Sequence, residues 1–92
     1  MLTIEYTRKM KIGVKLMKKR GKDISKLITA LDLLASQQTM PENYHDHPLK
    51  GDMLGYRECH IEPNWLLVYR VYEDRLLLLA SGTGTHSDLF AK

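Results

Sequence analysis

The sequence predicts an α+β protein in the order β-α-α-β-β-β, an antiparallel sheet with an N-terminal helical hairpin packed on one face. Three observations carry that expectation. A helical period of apolar residues runs from Met10 to Ala35, strand-like patterns dominate from Gly55 onward, and glycine, aspartate and proline punctuate the changes. With 92 residues the chain is expected to form one domain, residues 1–92, around one modest core.

The first strand is expected in "LTIEY", where Leu2, Ile4 and Tyr6 share a side. Met10, Val14 and Met17 then recur at i, i+4 and i+7, with Ile12 and Leu16 widening the stripe, which describes one face of a helix. Gly21 ends it as a C-cap glycine. Asp23 is a good N-cap for a second helix with apolar Ile24, Leu27, Ile28, Leu31, Leu34 and Ala35. "SQQTMPENY" dissolves into a loop. "GYRECHIE" alternates, placing Tyr56, Glu58, His60 and Glu62 on one face and Arg57, Cys59 and Ile61 on the other. Pro63–Asn64 turns the chain into "WLLVYRVY", and Glu73–Asp74 turns it again into "RLLLLASG". The consecutive apolar residues of these last two strands imply that both faces are largely covered.

A hydrophobic fraction of 43% argues against disorder. The leucine run at 76–79 is far too short to span a bilayer, so no membrane partner is expected. The N-terminus lacks a signal-peptide core, and the lone Cys59 fits a reducing cytoplasm. The net charge of +3 is unevenly spread: residues 8–26 hold nine Lys/Arg and one acid, whereas residues 51–92 hold four basic and six acidic residues. The early basic segment is either a solvated helix face or the part that a polyanion meets.

All four histidines, His45, His47, His60 and His86, lie in the second half. Imidazole transfers protons near neutrality without a cofactor. Glu58 sits two residues from His60 on the same strand face, where its carboxylate can orient the ring or stabilise its charge. His47 lies in "HDHPLKG", a loop that Pro48 and Gly51 shape, and His86 falls at the end of the last strand. These three positions can converge on one concave face of a small sheet. His45 reads as a surface residue and Trp65 as core. A metal site built from the histidines is a weaker reading, because the tight spacing of a structural zinc site is absent and Cys59 points away from His60. "GTGTHSDLF" at 82–90 is not a P-loop: it lacks the Gly-Lys-Ser/Thr ending and a long helix behind it.

"YHDHPLKGDMLGYRECHIEPNWLLVYRV" followed by "GTGTHSDLF" resembles the YafQ branch of the RelE-type bacterial toxins. The resemblance covers essentially the whole chain, and the motifs D-H-P-L-x-G, G-Y-R-[DE]-x-H-[IV]-E-P-[DN]-W and T-G-T-H-x-x-L-F stand in the same order. It implies a RelE-like microbial RNase fold and a ribosome-dependent mRNA endoribonuclease, the toxin of a type II toxin–antitoxin pair, cutting the codon exposed in the ribosomal A site. The implied partners are a DinJ-like antitoxin of RelB type, the ribosome with its mRNA, and rRNA; no cofactor and no metal is implied.

The resemblance also implies a working set of His47, His60 and His86 with Glu58 and Asn64 as polar neighbours and Phe90 as a terminal aromatic. His47 and His86 form the expected acid/base pair, with no assignment of which is which, and His60 is expected to be held by Glu58. Lys11, Lys15, Lys18, Lys19, Arg20, Lys50 and Arg57 are the expected RNA and ribosome contacts. Three positions depart from the family pattern: Asn64 replaces the usual Asp, Glu58 the commoner Asp, and Gly82 an Arg that would clamp phosphate. The alternatives are a weakened relative that mainly binds the ribosome or an antitoxin and, less well supported, a metal-dependent nuclease.

Overall fold

Thr7 decides where the first strand gives way to helix. Its backbone is extended, its hydroxyl oxygen accepts from the Met10 N–H at 3.0 Å, and the same hydroxyl donates to the Ser81 carbonyl at 2.7 Å. One side chain thus caps a helix and ties its start to the last strand. The computed structural model describes residues 1–90. Strand β1 is Thr3–Tyr6, helix α1 Arg8–Lys19 and helix α2 Ile24–Ala35. Strands β2 (His47–Pro48), β3 (Arg57–Glu62), β4 (Trp65–Tyr72) and β5 (Leu77–Gly84) follow, and helix α3 is His86–Phe90.

Both helix boundaries read in the sequence have a physical cause. At Gly21, φ is +84°; its N–H donates to the Lys18 carbonyl and that of Lys22 to Met17, a Schellman closure. Asp23 then accepts from the Ser25 N–H at 3.0 Å and starts α2.

The five strands form one sheet in the order β1-β5-β4-β3-β2. Every neighbouring pair is antiparallel except β1 and β5, which run parallel. The expected all-antiparallel sheet is therefore mixed, because side-chain alternation is the same for either strand direction and carries no information about it. Beyond Ala80, where β1 ends, α1 lies beside β5 instead: Thr7 bonds to Ala80 and Ser81, and the backbone of Gly13 meets that of Thr83.

The core forms between one sheet face and the hairpin α1–α2. Met10, Met17, Leu27 and Leu31 meet Cys59, Trp65, Leu67, Tyr69, Leu78 and Ala80, all buried. Full burial of side chains of this size contributes about 1.5–3 kcal/mol each. The Trp65 indole N–H donates to Thr83 Oγ1 at 2.8 Å, and that hydroxyl donates to the Leu66 carbonyl at 2.7 Å, so the buried polar atoms are satisfied. Ile12 and Ile28, which fit the helical stripes by spacing, are 58% and 53% exposed. The opposite sheet face, which carries Glu58, Val68 and Gly82 in one cross-strand row, holds the candidate site.

Candidate active site

Register assembles the first part of the site. His47 in β2 pairs with Glu58 in β3, which pairs with Val68 in β4, which pairs with Gly82 in β5. His47 Nε2 lies 2.9 Å from Oε2 of Glu58, whose side chain is buried. His47 Nδ1 lies 2.6 Å from the His45 carbonyl, so both ring nitrogens face oxygen acceptors and a ring carrying two N–H groups satisfies both. Oε1 of Glu58 is buried without a hydrogen-bond partner among the described residues.

The next row is His60, Leu66 and Gly84. His60 Nδ1 is 3.3 Å from the Pro63 carbonyl, and its ring lies 6.4 Å from that of His47 and edge-on to that of His45 at 5.7 Å. Glu58, expected to hold His60, holds His47 instead, because cross-strand register brings the His47 ring to its carboxylate. His45 is exposed, as expected of a surface residue, and also meets the cluster through its carbonyl and ring; its φ of +48° bends the chain there. A cleft of about 450 Å³ opens beside this cluster, lined by Asn43, His45, His60 and Pro63 among others.

His86 opens α3 rather than ending β5. Thr85 and Asp88 cap that helix reciprocally: the Thr85 N–H donates to Asp88 Oδ2 at 2.8 Å, and the Asp88 N–H donates to Thr85 Oγ1 at 3.2 Å. Arg20, at the end of α1, makes a two-pronged contact with the same carboxylate at 2.7 and 3.0 Å. Hydrogen bonds from Arg20 and then Thr85 hold the Asp88 carboxyl well below the usual carboxylate range. Glycines let α3 lie on the sheet: a Cβ at Gly84 would come within 2.9 Å of Asp88, and one at Gly82 within 3.2 Å of Leu89. The His86 and Phe90 rings sit 5.3 Å apart, one helical turn along.

The site thus has two flanks on one face. His47, Glu58 and His60 stand on one, His86 and Phe90 on the other, with the buried Leu66 and Val68 of β4 between. The strands β2 and β5 are three inter-strand spacings apart, roughly 14 Å. Asn64 is exposed in the turn after Pro63.

A family model described as "Bacterial toxin of type II toxin-antitoxin system, YafQ" matches residues 2–91. The chain belongs to the YafQ toxin family. It is 43% identical over 88 residues to the mRNA interferase toxin YafQ of Escherichia coli K12, covering 95% of this chain and 94% of that one. A metal-bound toxin from Helicobacter pylori superposes with a TM-score of 0.93 at 40% identity, covering 98% of this chain and 100% of that one. YafQ in the Escherichia coli DinJ–YafQ toxin–antitoxin complex does so with a TM-score of 0.86 at 43% identity, covering 97% of each chain. Among the described residues of this YafQ-family chain, no group of three or more His, Cys, Asp or Glu side chains is arranged to hold a metal ion. Nor is any described helix long and apolar enough to cross a membrane.

The expected RNA contacts divide by surroundings. Lys11, Lys15, Lys18 and Lys19 are exposed on α1, and Lys50 is exposed before β3. Arg20 is committed to Asp88. Arg57 lies on the helix-covered side, paired with Asp46 at 3.1 Å, while the Tyr69 hydroxyl donates to the same carboxylate. Lys9, outside the expected set, has its stem across Gly82, with Cε 3.8 Å from where a Cβ would stand. No sequence signal marks it, because it sits 73 residues from the glycine it covers.

Proposed function

We propose that this YafQ-family chain, an mRNA interferase, cuts mRNA in the ribosomal A site by proton transfer from the substrate to one imidazole and to the substrate from another, on the two flanks of the site. The observation that carries the reading is the buried Glu58 carboxylate bracing His47 on the same sheet face as His86. His86 takes the proton from a ribose 2′-OH, the 2′-oxygen bonds to phosphorus, and the bond to the 5′-oxygen breaks. His47 gives its Nδ1 proton to that leaving oxygen, exchanging the His45 carbonyl for substrate while Glu58 holds the other nitrogen. The products are a 2′,3′-cyclic phosphate and a 5′-OH.

Hydrogen-bond partners support this assignment of acid and base. His47 faces two acceptors and is supplied with a proton to give, whereas His86 is exposed on α3. His60, fixed by the Pro63 carbonyl, stands beside His47 to stabilise the phosphorane, and Lys9 brings a cation to the glycine at position 82. Phe90, one turn from His86, offers a ring for a neighbouring base. The exposed lysines of α1 supply rRNA contacts, and a DinJ-like antitoxin neutralises the toxin in the cytoplasm.

Mapping 5′ ends of mRNA after induction tests this. The wild type is expected to create new codon-phased ends bearing 5′-OH groups, and His86→Gln or His47→Gln to lower their yield by about 10²–10⁴-fold, the usual contribution of a general acid or base. Growth arrest without new ends would favour a toxin that only binds. Full cleavage by both variants would remove the two histidines from the mechanism.

A further inference from the structure

The sheet face that carries Glu58 and Val68 continues along β4 to Arg70 and Tyr72, two and four residues beyond Val68. Tyr56 precedes β3 and so flanks Arg70 across the strands, since Arg57 pairs with Tyr69. The Arg70 guanidinium lies over the Tyr56 ring at 5.4 Å and over the Tyr72 ring at 4.9 Å, and Arg75 lies over Tyr72 at 4.9 Å. Ring and cation alternate through four residues drawn from three chain segments. Gly55 brings the loop against this stack: its φ is +95°, and a Cβ there would come within 3.0 Å of the Arg70 guanidinium carbon.

Neither arginine forms an ion pair among the described residues, whereas Arg20 and Arg57 are each committed to a carboxylate. No helix among the described residues covers this end of the face: α1 and α2 pack on the other side, and α3 lies over Gly82 and Gly84. Two cations without an ion-pair partner among the described residues, held in place by rings and leading away from the imidazoles, match a strand of phosphates and bases better than a neutral or basic partner, although Glu73 and Asp74 stand in the same turn as Arg75. Along an antiparallel strand two residues advance about 6.8 Å, so Arg70 and Tyr72 stand one and two such steps from Val68, beside the proposed cleavage position.

We propose that Tyr56, Arg70, Tyr72 and Arg75 form a binding ladder for single-stranded RNA, taking the mRNA nucleotides next to the scissile phosphate. The ladder rests on the RNA-cleaving reading of the site. Guanidinium groups held over rings keep N–H edges for phosphate oxygens and present planes on which bases stack. The ring contacts fix the side chains before RNA arrives, which reduces the ordering cost of binding.

The test uses full-length protein carrying His86→Gln to prevent cleavage, so binding is read whether or not the chain cuts. A fluorescein-labelled ten-nucleotide RNA is titrated by anisotropy across a series of KCl concentrations. Arg70→Gln with Arg75→Gln is expected to weaken binding about tenfold at low salt and to flatten the log K against log salt slope by about 0.7 for each phosphate no longer neutralised. Arg75→Gln alone, at an exposed position, is expected to produce about half of that slope change and guards against misfolding. Unchanged affinity and slope would overturn the ladder. So would weakened binding of the cognate antitoxin with RNA binding intact, which would make the surface a protein site. On ribosomes whose A site holds no mRNA, the wild-type ladder is expected to lose its advantage over the double variant. An advantage that survived without A-site mRNA would assign the ladder to rRNA and contradict the mRNA assignment. If the ladder variants lose RNA affinity while the wild-type protein leaves mRNA uncut, the proposed chemistry fails and the ladder stands.

Discussion

Gly13→Ala turns the contact between α1 and β5 into a measurable quantity. A glycine in mid-helix costs about 0.8–1.0 kcal/mol relative to alanine, so helix propensity alone makes the substitution stabilising. The structure gives the opposite sign. A Cβ at position 13 would sit 2.3 Å from the Thr83 carbonyl oxygen and 3.1 Å from Thr83 Cγ2. Ordinary contact begins near 3.4 Å, so helix and strand must separate by about 1 Å. The element displaced is backbone, which has no rotamer to change, and Thr83 also holds the Trp65 indole. Overpacking costs about 1–3 kcal/mol, and a clash with immovable backbone falls in the upper part of that range, about 2–3 kcal/mol; set against the propensity gain, the net loss is about 1–2 kcal/mol. For a domain of this size that lowers Tm by roughly 4–16 °C. Thermal unfolding followed by circular dichroism reads it directly. A Gly13→Ala protein with a Tm equal to or above the wild type would refute the close approach.

Three further outcomes follow from named contacts. Thr83→Val keeps the shape but leaves the Trp65 N–H buried without its acceptor, an expected loss of about 1–3 kcal/mol in urea unfolding that Thr83→Ser largely restores; a change below about 0.5 kcal/mol would contradict it. The Asp88 carboxyl titrates below its ordinary value of 3.8 in the folded protein, so its stabilising contribution is complete above about pH 4 and is lost as pH falls through the lowered folded value. NMR signals of His86 and Phe90 are therefore expected to show no Asp88-linked change from neutrality to about pH 5 and to shift in Asp88→Asn at every pH; unchanged signals in the variant would remove Arg20 and Asp88 from the docking of α3. Burial pushes the Cys59 thiol up to about 12, so the native protein is expected to resist a thiol reagent at mildly alkaline pH and to react once unfolded in urea; rapid labelling of the folded protein would contradict its burial.

Elements whose physics is local are legible in the sequence. Asp23 and the Leu27, Leu31 and Leu34 period define α2, and the alternation in β3 correctly sends Cys59 into the core and Glu58 to the other face. Properties set by register or by distant segments are not. Strand β2 has only two residues, too few for any period, so spacing along β3 alone suggests a Glu58–His60 pair where the structure has Glu58–His47. The parallel pairing of β1 with β5 leaves no trace in side-chain alternation. Helix α3 spans five residues, and its docking depends on Arg20, 68 positions before Asp88. Ile12 and Ile28 fit helical stripes by spacing, yet those stripes are wider than the surface the sheet covers.

Proton transfer across the site is tested most directly by the pH dependence of single-turnover cleavage on programmed ribosomes. A base that must be deprotonated and an acid that must be protonated give a bell-shaped profile. His86→Gln is expected to remove the acidic limb and His47→Gln the alkaline limb, each with the overall rate reduced. A bell that kept both limbs in both variants would contradict proton exchange of these two imidazoles with the RNA.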